Sequence, residues 1–202
     1  GYLALPGMEG QFVYAQDRQD ALSQSEDAAS IFATEDWLGS TTPSNTVIDW
    51  GGSLADLENI DAVQENSGFT LYLPGTAYRC KVVAVYYQDP NEANSFDPAA
   101  YTDLSNYYNY LDFSLNIGTR SLYNSTSASA DGESYLTLVG DSSTEGVRLC
   151  VTGRLVRDDE DPALTATIST NENALLTGVQ YESEGKSAPD RASLMSSQMD
   201  RY

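Results

Sequence analysis

Short apolar runs, several of them alternating with a period near two, are separated along the chain by polar, Gly- or Pro-containing intervals. The longest apolar, β-branched and aromatic run lies between Gly68 and Pro90. Phe69–Leu73 reads as one strand, Pro74-Gly75 as a turn, and Tyr78–Gln88 as a longer strand. On the longer strand Tyr78, Cys80, Val82, Ala84 and Tyr86 share one face, and Arg79, Lys81, Val83, Val85 and Tyr87 share the other. Both faces are partly apolar, which predicts an inner strand covered on both sides. Val147–Arg157 is similar, with a Cys set between basic residues, so the two strands are expected to share a core.

The same pattern places strands at Gln11–Tyr14, Val47–Trp50, Leu111–Tyr123, Ser134–Val139, Leu164–Ser169 and Ala174–Tyr181. Leu111, Phe113, Leu115 and Ile117 fall on one side of their segment, with Asp112, Ser114 and Asn116 on the other. Short helices are expected within residues 16–38, where Ala21, Leu22, Ala28, Ala29, Ile31 and Phe32 stand near helical spacing, and over Ser53–Gln64 with Ser53 as N-cap. Tyr101–Tyr110 reads as a short helix or an aromatic loop. With turns such as Asp131-Gly132 between strands, the fold class is mainly β. It is expected to be a single antiparallel β-sandwich of jelly-roll or Greek-key type, with short helices near the N-terminus and extended terminal arms. The expected organisation is an arm and helical segment over 1–45, the sandwich domain over 46–182, and a tail over 183–202.

Composition sharpens this picture. Of 202 residues 41% are hydrophobic, and Tyr (14) outnumbers Phe (5) and Trp (2), which favours strands over helices. The formal net charge is −20, and twelve acidic side chains against one basic one, Arg18, lie between Gly1 and Asn66. Such a surface repels phosphate backbones and anionic membranes, so no nucleic-acid or membrane partner is expected. No segment approaches the ~20 apolar residues of a membrane-spanning helix. The chain starts at Gly1 rather than Met, which fits loss of a leader or pro-segment.

Histidine is absent. That removes Ser-His-Asp and Cys-His catalysis and His zinc sites. Cys80 and Cys150 both fall inside strands, which favours two buried thiols over a disulfide. No phosphate-binding loop, dinucleotide fingerprint or nucleophile elbow occurs. The acidic turn with Asp158, Asp159 and Asp161 is the candidate metal site, for Ca²⁺, because hard cations take clustered carboxylates. Arg154 and Arg157 beside it offer ion pairing instead. No catalytic residue and no other cofactor is expected. Tyr86, Tyr87, Tyr101, Tyr107, Tyr108, Tyr110 and Trp50 supply core or contact surface.

These exclusions point to a non-enzymatic structural protein of a virus or phage particle. It would be a capsid, cement or decoration subunit located in the virion, assembling with copies of itself or other virion proteins through its β-domain and arms. The alternative is an extracellular carbohydrate- or Ca²⁺-binding β-sandwich module.

Overall fold

The computed structural model describes residues 1–15, 29–31, 42–93, 95–127, 129–161, 163 and 166–199. Eight strands close into a barrel. Around the ring they are β1 (Tyr2–Ala4), β2 (Gln11–Ala15), β3 (Ala29–Ile31), β4 (Asn45–Ser53), β8 (Tyr135–Asp141), β9 (Arg148–Leu155), β6 (Thr76–Gln88) and β5 (Gly68–Leu73), which returns to β1. β7 (Tyr123–Ser125) and β10 (Ile168–Thr170) form a separate two-stranded sheet. Described helices are α1 (Ile60–Glu65), α2 (Tyr107–Arg120), α3 (Gly178–Ser183) and α4 (Arg191–Met199).

The sandwich expectation is therefore corrected to a closed barrel. The expected N-terminal arm supplies β1 and β2 instead, and β1 pairs with β5 to close the ring. Two pairings, β2–β3 and β4–β8, are parallel, so the sheet is mixed rather than antiparallel. The helices expected within 16–38 lie largely outside the described residues. Those that are described, 29–31, form β3.

The β5–β6 hairpin forms as its sequence demands, with Gly75 at φ +86° supplying the left-handed turn residue. β6 and β9 are direct neighbours, from Cys80 opposite Leu155 to Gln88 opposite Arg148. A register shift between Val82 and Ala84 changes the faces of β6. Cys80, Val82 and Val85 join the larger core cluster with Leu3, Ile48, Trp50, Phe69, Leu138 and Val151. Ala84 and Tyr86 instead join a second cluster with Phe96, Phe113, Ile117, Tyr135, Val139 and Cys150. The extra residue keeps Val85 in the barrel core with Cys80 and Val82 while Ala84 and Tyr86 face the second cluster.

That helix is α2, over a segment expected to be a strand. Asn106 caps it by accepting from Tyr108 N at 2.8 Å. Tyr110, Phe113 and Ile117 follow helical spacing, and all three are buried in the second cluster. The alternation at Leu111–Ile117 is real but subordinate, because buried Ser114, Asn116 and Thr119 also face protein rather than solvent. Residues 178–181, expected to end the strand Ala174–Tyr181, instead open α3, which has a Thr177/Gln180 capping box. Of the expected strand Leu164–Ser169, Ile168 and Ser169 fall in β10.

Candidate functional site at the Arg148 end of the barrel

β4, β6, β8 and β9 all end or begin at one mouth of the barrel, around Ser53, Gln88, Asp141 and Arg148. Their pairing fixes what stands there. Arg148, the first residue of β9, lies opposite both Gln88 and Asp141. Its guanidinium meets the Asp49 carboxylate at 3.0 Å, and both side chains are about one-third exposed (32% and 30%). Asp49 is set by the register shift that follows it in β4: Gly51, at φ +71°, donates its N–H to the same Asp49 oxygen at 3.0 Å.

The β8–β9 hairpin loop adds a second polar pair. Ser143 donates its hydroxyl to one Glu58 carboxylate oxygen and its backbone N–H to the other, each at 2.6 Å. Glu58 ends the short 3₁₀ turn Ala55–Glu58, which is tied to the mouth by Leu54 N donating to Asp141 O at 2.9 Å. Tyr123 donates its hydroxyl to the Glu58 backbone carbonyl. Burial, reinforced by the Glu58 charge, raises the Tyr87 phenol and pushes Tyr123 up to about 12, so both remain neutral donors at neutral pH. The mouth thus presents a guanidinium, two carboxylates, a hydroxyl bonded to a carboxylate, and neutral phenols.

The thiols are elsewhere. Cys80 and Cys150 are both free and fully buried, as the sequence favours. Burial raises both, Cys150 to about 12, so neither is a thiolate at neutral pH. Cys80 belongs to the larger cluster and Cys150 to the cluster under α2.

The acidic turn does not gather its carboxylates. Asp158, Asp159 and Asp161 are exposed, and Asp161 accepts from Ala163 N at 2.9 Å. Glu160 turns inward instead. Both its oxygens accept from Arg154 at 2.9 Å, and one accepts from Lys81 at 2.9 Å. Arg154 is 1% exposed and also faces Glu133 at 3.7 Å. Arg157 donates to Glu133 as well. The turn is an ion-pair knot rather than a collected cation site. Among the described residues no group of three His, Cys, Asp or Glu side chains is placed to hold a metal ion. No described helix is long and apolar enough to cross a membrane.

Sequence reasoning did not find the mouth. Asp49 and Arg148 are 99 positions apart, and Glu58 and Ser143 are 85 apart. The one local signal is a carboxylate just before Gly51-Gly52, where an irregularity in the strand holds it in place.

No protein-family model matches the chain, and no curated protein matches it. Solved structures do. A sortase B complexed with triglycine is 14% identical, covers 78% of this chain and 80% of its own, and superposes with a TM-score of 0.62. The Staphylococcus aureus sortase B–substrate complex is 16% identical, covers 78% and 79%, and has a TM-score of 0.63. Clostridium perfringens sortase B is 17% identical, covers 77% and 92%, and has a TM-score of 0.62. At this identity the likeness establishes a sortase-B-like barrel fold.

It also corrects the functional expectation. Sortase B is a cysteine transpeptidase, an enzyme. The neighbours are neither particle subunits nor carbohydrate-binding modules, so the reading as a non-enzymatic capsid, cement or decoration protein is overturned. Its virion location and its virion or self-assembly partners fall with it, since the neighbours are solved with triglycine and with substrate. The physical reason for the error is that short strands with polar turns serve a barrel as readily as a sandwich. The residues of this chain differ from a cysteine enzyme in two respects: histidine is absent and both thiols are buried.

Proposed function

We propose that this chain recognises an extended peptide at the Arg148 mouth of its sortase-like barrel. The observation that carries the reading is the partly exposed Arg148–Asp49 pair, held at the junction of β4, β8 and β9. A paired guanidinium and carboxylate at the end of the barrel match the carbonyl oxygens and N–H groups of an extended backbone. Sortase B structures with triglycine and with substrate support a peptide ligand for this fold. The net charge of −20 favours a cationic peptide, whose approach it steers.

Group chemistry at this mouth rests on the Ser143 hydroxyl and the Glu58 carboxylate that accepts from it, with Arg148 as the cation nearest in the chain. A thiolate route is not supported by the buried cysteines. The test is fluorescence anisotropy of the full chain against labelled extended decapeptides of cationic, neutral and anionic composition. Saturable binding of cationic peptides, weakened by Arg148→Ala, is expected. Absence of saturable binding across the panel contradicts the reading. Mass spectrometry of the same mixtures reports any cleavage or any acyl group on Ser143.

A further inference from the structure

A second cavity, of about 180 Å³, lies where the segment after β6 meets the end of α2, the residues before α3 and the start of α4. Neither Arg148 nor Ser143 lines it. Its volume is below the ~300–1,000 Å³ of pockets for drug-sized ligands, so its occupant is small.

Two arginines that line it converge on one oxygen. Arg120, the last residue of α2, is 7% exposed and stacks over the Phe96 ring at 5.5 Å. Its hydrogen bond runs from Nη1 to Asn116 Oδ1 at 2.9 Å. Arg191, the exposed first residue of α4, donates from Nη2 to that same oxygen at 3.0 Å. Asn116 is oriented for this because its amide nitrogen donates to Asp112 O at 2.8 Å and Asp112 Oδ1 at 3.1 Å. Neither arginine forms an ion pair among the described residues. Two cations sharing one neutral oxygen repel, and a buried guanidinium with so few acceptors is costly. Burial and Arg191 pull Arg120 down to about 10, against Tyr86 and Glu92, so it remains a cation at neutral pH.

The same cavity has an acidic wall. Asp89, 8% exposed, and Glu92 line it from the segment after β6. Ser95 also lines the cavity, and its Oγ is buried with no hydrogen-bond partner among the described residues. Apolar side chains, including Leu175 and Tyr181, complete the lining.

We propose that this cavity binds a small zwitterion, a free α-amino acid or dipeptide. Its carboxylate is held by Arg120 and Arg191 and its ammonium by Asp89 and Glu92. A carboxylate satisfies the guanidinium forks in the planar geometry they favour. An inorganic dianion meets the same arginines but is repelled by the acidic wall. An amine alone has the reverse difficulty. Only a ligand carrying both charges satisfies both walls, and Ser95 gives it a further hydrogen bond.

The test is isothermal titration of the full chain with leucine and glycyl-leucine, beside N-acetyl-leucine, leucine methyl ester and inorganic phosphate. Saturable binding of a free zwitterion is expected, with both blocked forms weakened about tenfold or more for the loss of one charged hydrogen-bond set. Arg191→Gln on the exposed helix start, and Ser95→Ala, should weaken it without changing the circular dichroism. Arg120→Gln is a further variant, and its failure to fold leaves the other measurements decisive. No binding of either zwitterion, or equal binding of the N-acetyl form or of phosphate, overturns the proposal.

Discussion

Arg148 on β9 reaches Asp49 on β4 at 3.0 Å by crossing over β8, the strand that lies between them in the barrel. The pair therefore braces three strands at one mouth. It is available there because the parallel β4–β8 pairing sets Asp49 beside Val139, while the antiparallel β8–β9 pairing sets Arg148 beside Asp141. This pair is partly exposed and contributes little to stability, so Asp49→Asn should shift the unfolding free energy by no more than about 1 kcal/mol. Chemical denaturation measures this, and a loss several times larger would show the pair to be structural rather than available to a ligand.

The opposite holds for Arg154. Its guanidinium is buried and its partners are Glu160 and Glu133. Glu160→Gln leaves that charge undercompensated and should cost about 3–5 kcal/mol, the range for breaking a buried pair from one side. Urea unfolding of the two proteins gives the number. A change under about 1 kcal/mol would mean that solvent already screens the knot.

The same knot predicts an acid limb. Burial raises the Glu160 carboxyl, but hydrogen bonds from Lys81 and Arg154 outweigh it and hold the group at about 2, below its usual value of 4.5. A depressed folded value means that the stabilisation is complete above about pH 4.5 and is lost as pH falls towards 2. Unfolding midpoints between pH 6 and 2 should therefore fall more steeply in the native chain than in Glu160→Gln. Parallel curves would contradict this.

The barrel was not legible from the chain, but part of its strand layout was. The β5–β6 hairpin was, because Pro74-Gly75 fixes the turn and the flanking residues alternate. So was the expectation that β6 and β9 share a core, because both are long and each sets a Cys between basic residues; the structure makes them direct neighbours. The bulge between Val82 and Ala84 was not, since an extra residue leaves no mark in an unbroken apolar run. α2 was misread because Leu111, Phe113, Leu115 and Ile117 satisfy a period of two, while Tyr110, Phe113 and Ile117 satisfy helical spacing. Polar Ser114 and Asn116 are buried against neighbours that local pattern does not reveal. Barrel closure rests on β1 meeting β5 and β4 meeting β8, contacts about 70 and 90 positions apart in sequence. The mouth inherits that difficulty, since each of its pairs joins distant segments.

Gly153 is a packing prediction. A Cβ there would stand 2.6 Å and 2.7 Å from the Phe69 ring and 2.8 Å from Cys80 Cβ. Gly153→Ala should destabilise by about 1–3 kcal/mol, as overpacking does. Phe69→Leu in the same chain should recover part of it. Thermal unfolding of the three variants checks the coupling, and a neutral Gly153→Ala would show that the barrel interior yields there.

The thiols should be silent. Both are fully buried and raised by burial, Cys150 to about 12. A thiol-specific chromogenic reagent should label neither in the folded chain at pH 8 and both in denaturant. Rapid labelling of one cysteine in the folded chain would place a reactive thiol where none is described.

The most direct test of the peptide reading is the affinity of the full chain for a cationic extended peptide, compared with Arg148→Ala. Loss of a charged hydrogen-bonding group at the contact should weaken binding about tenfold or more, with the circular dichroism unchanged. Equal affinity of the two proteins, or no saturable binding by the native chain, would contradict a peptide site at the Arg148 mouth.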